Sequence, residues 1–154
     1  MMQEVQPLPL PGLVKFESMQ SLTAYLKTLL LHYERECDLY GVKVGDLMRI
    51  LEKEPHGKNL GKMKETGWKK VGMIMVNTKE SKVGTLELMI EVMEDYKAKA
   101  NRTREVLTNI DELEDLGVPK GASLILYLRH GVPLRIVVDE ERNAQVDALL
   151  TTKA

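Results

Sequence analysis

The lysines at 58, 62, 64, 69 and 70 surround Asn59 and the chain's single tryptophan, Trp68. These are the residues whose types and spacing could do chemistry. Lysine ammonium groups act as point charges that attract phosphate oxygens without selecting a base. An asparagine amide can pair with a base edge, and an indole can stack on an unpaired base. The chemistry on offer is binding rather than bond-making. Core packing is an equally physical role for a lone Trp at a helix–strand junction. The lysines equally suit a solvated face or a surface that meets a protein partner.

No other pattern names a reaction. The run Gly57-Lys58-Asn59-Leu60-Gly61-Lys62-Met63 has three residues between its glycines, where a phosphate loop needs four. It also carries Met63 where Ser or Thr would hold magnesium, and it precedes a strand instead of following one. His32, His56 and His130 lie in unrelated contexts, with no HExxH or CxxC spacing, so no metal site is expected. Cys37 is the only cysteine, which excludes an intramolecular disulfide and reads as a small buried hydrophobe. There is no GxSxG elbow. Glu91 and Asp95 stand at i, i+4, where like charges repel and imply acid–base work only if buried. Asn101-Arg102-Thr103 matches a glycosylation acceptor, which has meaning only after a secretion signal. The expectation is a non-enzyme without cofactors.

Around these residues stands an ordinary soluble composition of 44% apolar and 29% charged residues over 154 positions, enough for one domain. Nine methionines partly replace aromatics as packing material. The net charge of −1 argues against a generic polyanion binder, but the charge is unevenly placed. Lys53 to Lys70 holds six lysines against Glu54 and Glu65, a local +4, whereas Glu80 to Asp115 holds ten acids against five bases, a local −5. A surface so divided can orient the protein on a charged partner. No stretch is apolar enough to span a membrane and no secretion signal opens the chain, so a cytoplasmic protein without membrane partners is expected.

Residues 1–12 read as an extended proline-rich arm. Pro7, Pro9 and Pro11 are spaced by two, so they do not form a PxxP ligand. Residues 13–154 then form one compact domain, divisible into a helical subdomain 13–70 and an α/β subdomain 71–154. Leu22, Leu26, Leu29, Tyr33, Cys37 and Tyr40 fall on one helical face, predicting a helix over 18–40 capped by Ser18 or Ser21 and closed by Gly41. A second helix is expected from Asp46 to Glu54, stopped by Pro55, and a short piece over 58–66 with Leu60 and Met63 inward. Residues 71–76 read as a strand buried on both faces.

The longest predicted element is a helix over 82–116. Leu86, Met93, Ala100 and Leu107 repeat by seven, as do Met89, Tyr96, Thr103 and Ile110. That is the seam of a coiled coil, and of a homodimer through 86–110, or of a long helix packed on a sheet. Ala100 and Thr103 weaken its middle, so a break near Asn101 is the alternative. Residues 123–139 are the clearest β signal, two apolar runs meeting at His130-Gly131, a turn that needs positive φ. A short amphipathic helix carrying Val146, Leu149 and Leu150 ends the chain.

Residues 43–77 resemble the helix-turn-helix or winged-helix class. The residues that carry the resemblance are Val44-Gly45-Asp46-Leu47-Met48-Arg49-Ile50-Leu51, the turn Glu54-Pro55-His56-Gly57, the piece Asn59-Leu60-Gly61-Lys62-Met63-Lys64, and Gly67-Trp68-Lys69-Lys70 leading into a strand. The resemblance implies phosphate contacts from Lys58, Lys62, Lys64, Lys69 and Lys70, a base contact from Asn59, and stacking or core packing by Trp68. The proline in the turn, the glycine in the second helix and the long acidic helix that follows depart from the class.

The expected architecture is α+β, with a helical N-terminal half, a long central helix and a small antiparallel sheet ending in a C-terminal β-hairpin, joined by 71–76. The expected role is a small regulatory or adaptor protein that binds a macromolecular partner, with transcription or replication machinery as its setting. A direct nucleic-acid binder using 58–70 is the alternative. An enzyme or small-ligand protein with a site assembled from scattered residues is the third class.

Overall fold

The computed structural model describes residues 12–54, 67–140 and 143–150. The proline arm before Gly12 and the expected helical piece over 58–66 therefore lie outside the described residues. The chain is α+β, with long helices, a three-stranded antiparallel sheet and a separate two-stranded sheet. It divides into one unit made of residues 12–31 with 99–150, and another made of 32–98.

In the first unit, strand β1 (Leu13–Phe16) pairs antiparallel with β4 (Ser123–Arg129), which pairs with β5 (Val132–Asp139) in the order β1-β4-β5. Alternation places Leu124, Leu126 and Leu128 on one face of the central strand, and all three are buried. His130 and Gly131 both take positive φ, 52° and 77°, as a two-residue type I′ turn requires. Ser123 donates its hydroxyl to the Phe16 carbonyl at 3.2 Å, and the Phe16 ring tilts onto Tyr25 at 5.1 Å. β1 is too short for a periodicity signal, which is why the sequence reading did not contain it.

Helix α1 (Met19–Glu52) opens on a serine box. Ser21 donates its backbone N–H to Ser18 Oγ at 3.2 Å, and Ser18 returns its own N–H to Ser21 Oγ at 3.2 Å. The helix does not stop at Gly41. The expected break over 41–45 is corrected to one continuous helix of 34 residues. Glycine costs about 1 kcal/mol in a helix interior. Burial along the continuing stripe Tyr40, Val44, Leu47 and Leu51 outweighs that cost, with Val44 and Leu51 in the core.

The second unit contains an antiparallel helix pair, the later part of α1 against the first part of α2 (Ser81–Asn109). Val44 and Leu51 pack with Val83 and Leu86, flanked by Leu47, Met89 and Ile90. Farther along, Tyr96 meets Tyr33 and Tyr40 at 6.1 Å each, and burial pushes the Tyr96 phenol up from its ordinary value. Cys37 is a packing residue whose thiol points at the Met93 carbonyl, 3.6 Å away.

α2 runs without a break through Asn101 to Asn109 and is followed by the single turn α3 (Glu112–Asp115). The seam positions that look weak by size are the most tightly enclosed, Ala100 and Thr103 both being buried. Thr103 returns its hydroxyl to the Lys99 carbonyl at 2.8 Å, so nothing polar is stranded. Gly117 at φ 86° then closes α3, with the Val118 N–H reaching back to the Leu113 carbonyl at 3.1 Å.

The last element is α4 (Ala144–Leu150), capped by Asn143, whose side-chain oxygen accepts the Gln145 N–H at 2.9 Å. It is tied to β1 by the Lys15–Asp147 ion pair. The hydrogen bond that Lys15 donates to Asp147 holds the ammonium pKa above its ordinary 10.5 against the opposing effect of burial, with the charges of Asp147 and Glu17 adding to the rise.

Candidate partner-binding hairpin

Residues 71–76 are not one strand buried on both faces, nor do they join the three-stranded sheet. The run is cut by a turn at Gly72-Met73 into β2 (Trp68–Val71) and β3 (Ile74–Asn77), which among the described residues pair with each other alone. Gly72 at φ 62° supplies the positive φ of a type II′ turn. An apolar run with a central glycine has the same hydropathy whether it passes through a core or reverses at a surface, so pattern alone did not separate the two.

Alternation puts Trp68 and Lys70 on one face of β2, with Met75 and Asn77 opposite them on β3. Lys69 and Val71 share the other face with Val76 and Ile74. Met73 at the tip is fully exposed, and Val71 (60%), Ile74 (64%) and Met75 (53%) are more than half exposed. Lys69 and Lys70 are exposed as well. Neither forms an ion pair with any of the described residues.

The base of this hairpin is clamped on α2. The Trp68 indole N–H donates to Glu87 Oε2 at 2.5 Å. Asn77 Oδ1 accepts the backbone N–H groups of Lys79 at 3.1 Å and Glu80 at 3.0 Å, capping the approach to α2. Gly84 lets the hairpin come close. A Cβ there would stand 2.9 Å from Asn77 Nδ2 and 3.4 Å from Trp68 Cζ2. Gly67, at φ 87°, makes the same approach from the other side, with Asn77 Oδ1 2.8 Å from a notional Cβ. Trp68 is thus a half-buried anchor whose N–H is committed to a carboxylate.

Of the residues singled out from sequence, Trp68, Lys69 and Lys70 lie on β2. Lys58, Asn59, Lys62 and Lys64 lie outside the described residues, as do His56 and the turn from Pro55 to Gly57. The sequence reading did not single out Val71, Met73, Ile74 or Met75 as surface residues. The available signal was Gly72 inside an apolar run, a common mark of a turn or bulge. Glu87 and Leu88, which face the hairpin from α2, carried no signal beyond an ordinary helix pattern, and Glu91 was read only as one of a carboxylate pair with Asp95.

Among the described residues, no three His, Cys, Asp or Glu side chains converge as a metal site would need. No helix among them is long and apolar enough to cross a membrane. A second groove in the same unit lies between α1 and the start of α2, with Leu47, Ile50 and Met89 as apolar walls and Lys43 and Lys82 at its edge. Lys82 is neutralised by Glu54. Comparison with protein-family models, with curated proteins and with solved structures found no match.

Proposed function

We propose that this is a small, non-enzymatic regulatory or adaptor protein that binds a macromolecular partner through the β2–β3 hairpin, with transcription or replication machinery as its setting. The observation that carries this reading is the hairpin tip. Val71, Met73, Ile74 and Met75 are all exposed within five residues of chain, beside Lys69 and Lys70. Single exposed apolar residues are normal, but a cluster rimmed by charge marks an interaction surface. Methionine suits such a surface because its flexible side chain adapts to a partner's shape. The clamp at Trp68, Asn77 and Gly84 presents this tip at little ordering cost on binding. Ile74→Glu tests the reading. It should leave the fold intact and abolish recovery of a defined protein partner, whereas unchanged recovery contradicts it.

Direct nucleic-acid binding is the second reading, supported by the adjacent, exposed Lys69 and Lys70 and by the resemblance to the winged-helix class. In it, Lys58, Lys62, Lys64, Lys69 and Lys70 would contact phosphates and Asn59 a base. Fluorescence anisotropy with single- and double-stranded DNA and RNA, at low and physiological salt, separates the two. Salt-sensitive binding lost in Lys69→Glu/Lys70→Glu favours the nucleic-acid reading. No binding at low salt leaves the protein partner.

A homodimer through the 86–110 seam is a further proposal, but it has little surface to use. Leu86, Ala100, Thr103 and Ile110 are already buried within one chain, leaving the half-buried Met89, Met93, Tyr96 and Leu107.

A further inference from the structure

The inward face of the hairpin and the facing turn of α2 enclose an open groove of about 370 Å³, lined by Trp68, Met75, Glu87, Leu88 and Glu91. Its volume lies at the lower end of the range for ligand sites. Its walls are an indole, a thioether and an isobutyl group. Its charge comes from two carboxylates one helical turn apart, with no basic residue among the described residues of the lining. Glu87 is held by the Trp68 N–H, while Glu91 makes no hydrogen bond or ion pair with the described residues.

We propose that this groove receives a single basic side chain, lysine or arginine, from the protein partner that docks on the hairpin. The aliphatic stem of such a side chain matches the Met75 and Leu88 walls, and its cationic head matches the two glutamates and the electron-rich face of Trp68. The other occupants fit worse. An apolar side chain would desolvate Glu91 without pairing it, and an acidic one would meet two like charges. A divalent cation needs more oxygen ligands than this groove supplies. The Coulomb attraction is greater here than on open surface, because the groove walls exclude part of the water.

Lys70 is the internal competitor. It shares a face of the hairpin with Trp68 and Met75 but forms no ion pair with Glu87 or Glu91. This inference rests on the hairpin being a partner surface, and its test uses free side-chain analogues, so the two can fail separately.

Trp68 is the only tryptophan, so its indole N–H gives one unambiguous signal in a nitrogen–proton correlation spectrum of the full chain. The titrants are N-acetyl-arginine amide, N-acetyl-lysine amide and the neutral analogue N-acetyl-norleucine amide. A saturable millimolar shift with both cations and none with norleucine is expected. Glu91→Gln should weaken cation binding about tenfold, the value of one charge-assisted contact, while the indole signal of the free protein stays in place. Equal shifts with norleucine, no saturable shift with any titrant, or unchanged affinity in Glu91→Gln would overturn the proposal. A shift that arises only in Lys70→Gln would identify Lys70 as the occupant and overturn it too.

Discussion

The β4–β5 hairpin and the β2–β3 hairpin turn on the same local chemistry and meet opposite fates. Each reverses through two residues with a glycine at positive φ, Gly131 in one and Gly72 in the other. β4 has a strand on each side, and its Leu124, Leu126 and Leu128 are buried. Among the described residues β2 and β3 have only each other, and Val71, Ile74 and Met75 stay exposed. A two-stranded ribbon is marginal by itself. The second hairpin therefore holds its shape through its base, where Trp68, Asn77 and Gly84 meet α2, and not through its apolar strands. The comparison teaches that the same turn chemistry can carry a strand into the core, as with Leu124, Leu126 and Leu128, or leave apolar side chains exposed, as with Val71, Ile74 and Met75.

That contrast can be broken by substitution. Leu126→Ala should cost about 2–5 kcal/mol in urea unfolding, because it opens a cavity at a fully buried side chain. Gly84→Ala should cost about 1–3 kcal/mol, since its Cβ meets Asn77 Nδ2 at 2.9 Å, and Trp68 fluorescence should report a loosened hairpin. Trp68→Phe removes the hydrogen bond to Glu87. It should cost about 1 kcal/mol and speed amide exchange across 68–77 more than across 123–139. Ile74→Ala, in the exposed half of the comparison, should change stability by less than about 0.5 kcal/mol. A large loss there would show that the tip belongs to the fold.

A pH experiment sharpens the account of the first unit. The Lys15 ammonium pKa is raised by Asp147 in the folded chain, so the folded state binds its proton more tightly than the unfolded state. Its stabilisation should be fully present below the unfolded lysine value and be lost as pH rises through the folded one. Asp147→Asn should flatten that alkaline slope and leave the slope near neutral pH unchanged.

Legibility in the sequence followed how local each cause was. The β4–β5 hairpin was legible because two long apolar runs flank His130-Gly131, and the α1 cap because Ser18 and Ser21 each offer a capping hydroxyl, though not that the two act together. Gly41 misled, because glycine chemistry is local while the burial of Tyr40, Val44 and Leu51 on α2 is not. Ala100 and Thr103 looked weak because area per residue was counted, whereas close packing there favours small side chains. At the candidate site, the lysines and Trp68 were visible as residue types. The hairpin tip and the groove were not, since exposure of Met73 and the approach of Gly84 to Asn77 depend on tertiary placement.

The most direct test of the hairpin as the partner surface is site-specific photo-cross-linking in extract of the source cell. The photoreactive residue is placed at position 73 and, as a control, at position 116, where an apolar side chain is also exposed. The account expects a discrete adduct from position 73 that disappears with Ile74→Glu and is absent from position 116. No adduct from position 73, or the same adducts from both positions, would contradict it.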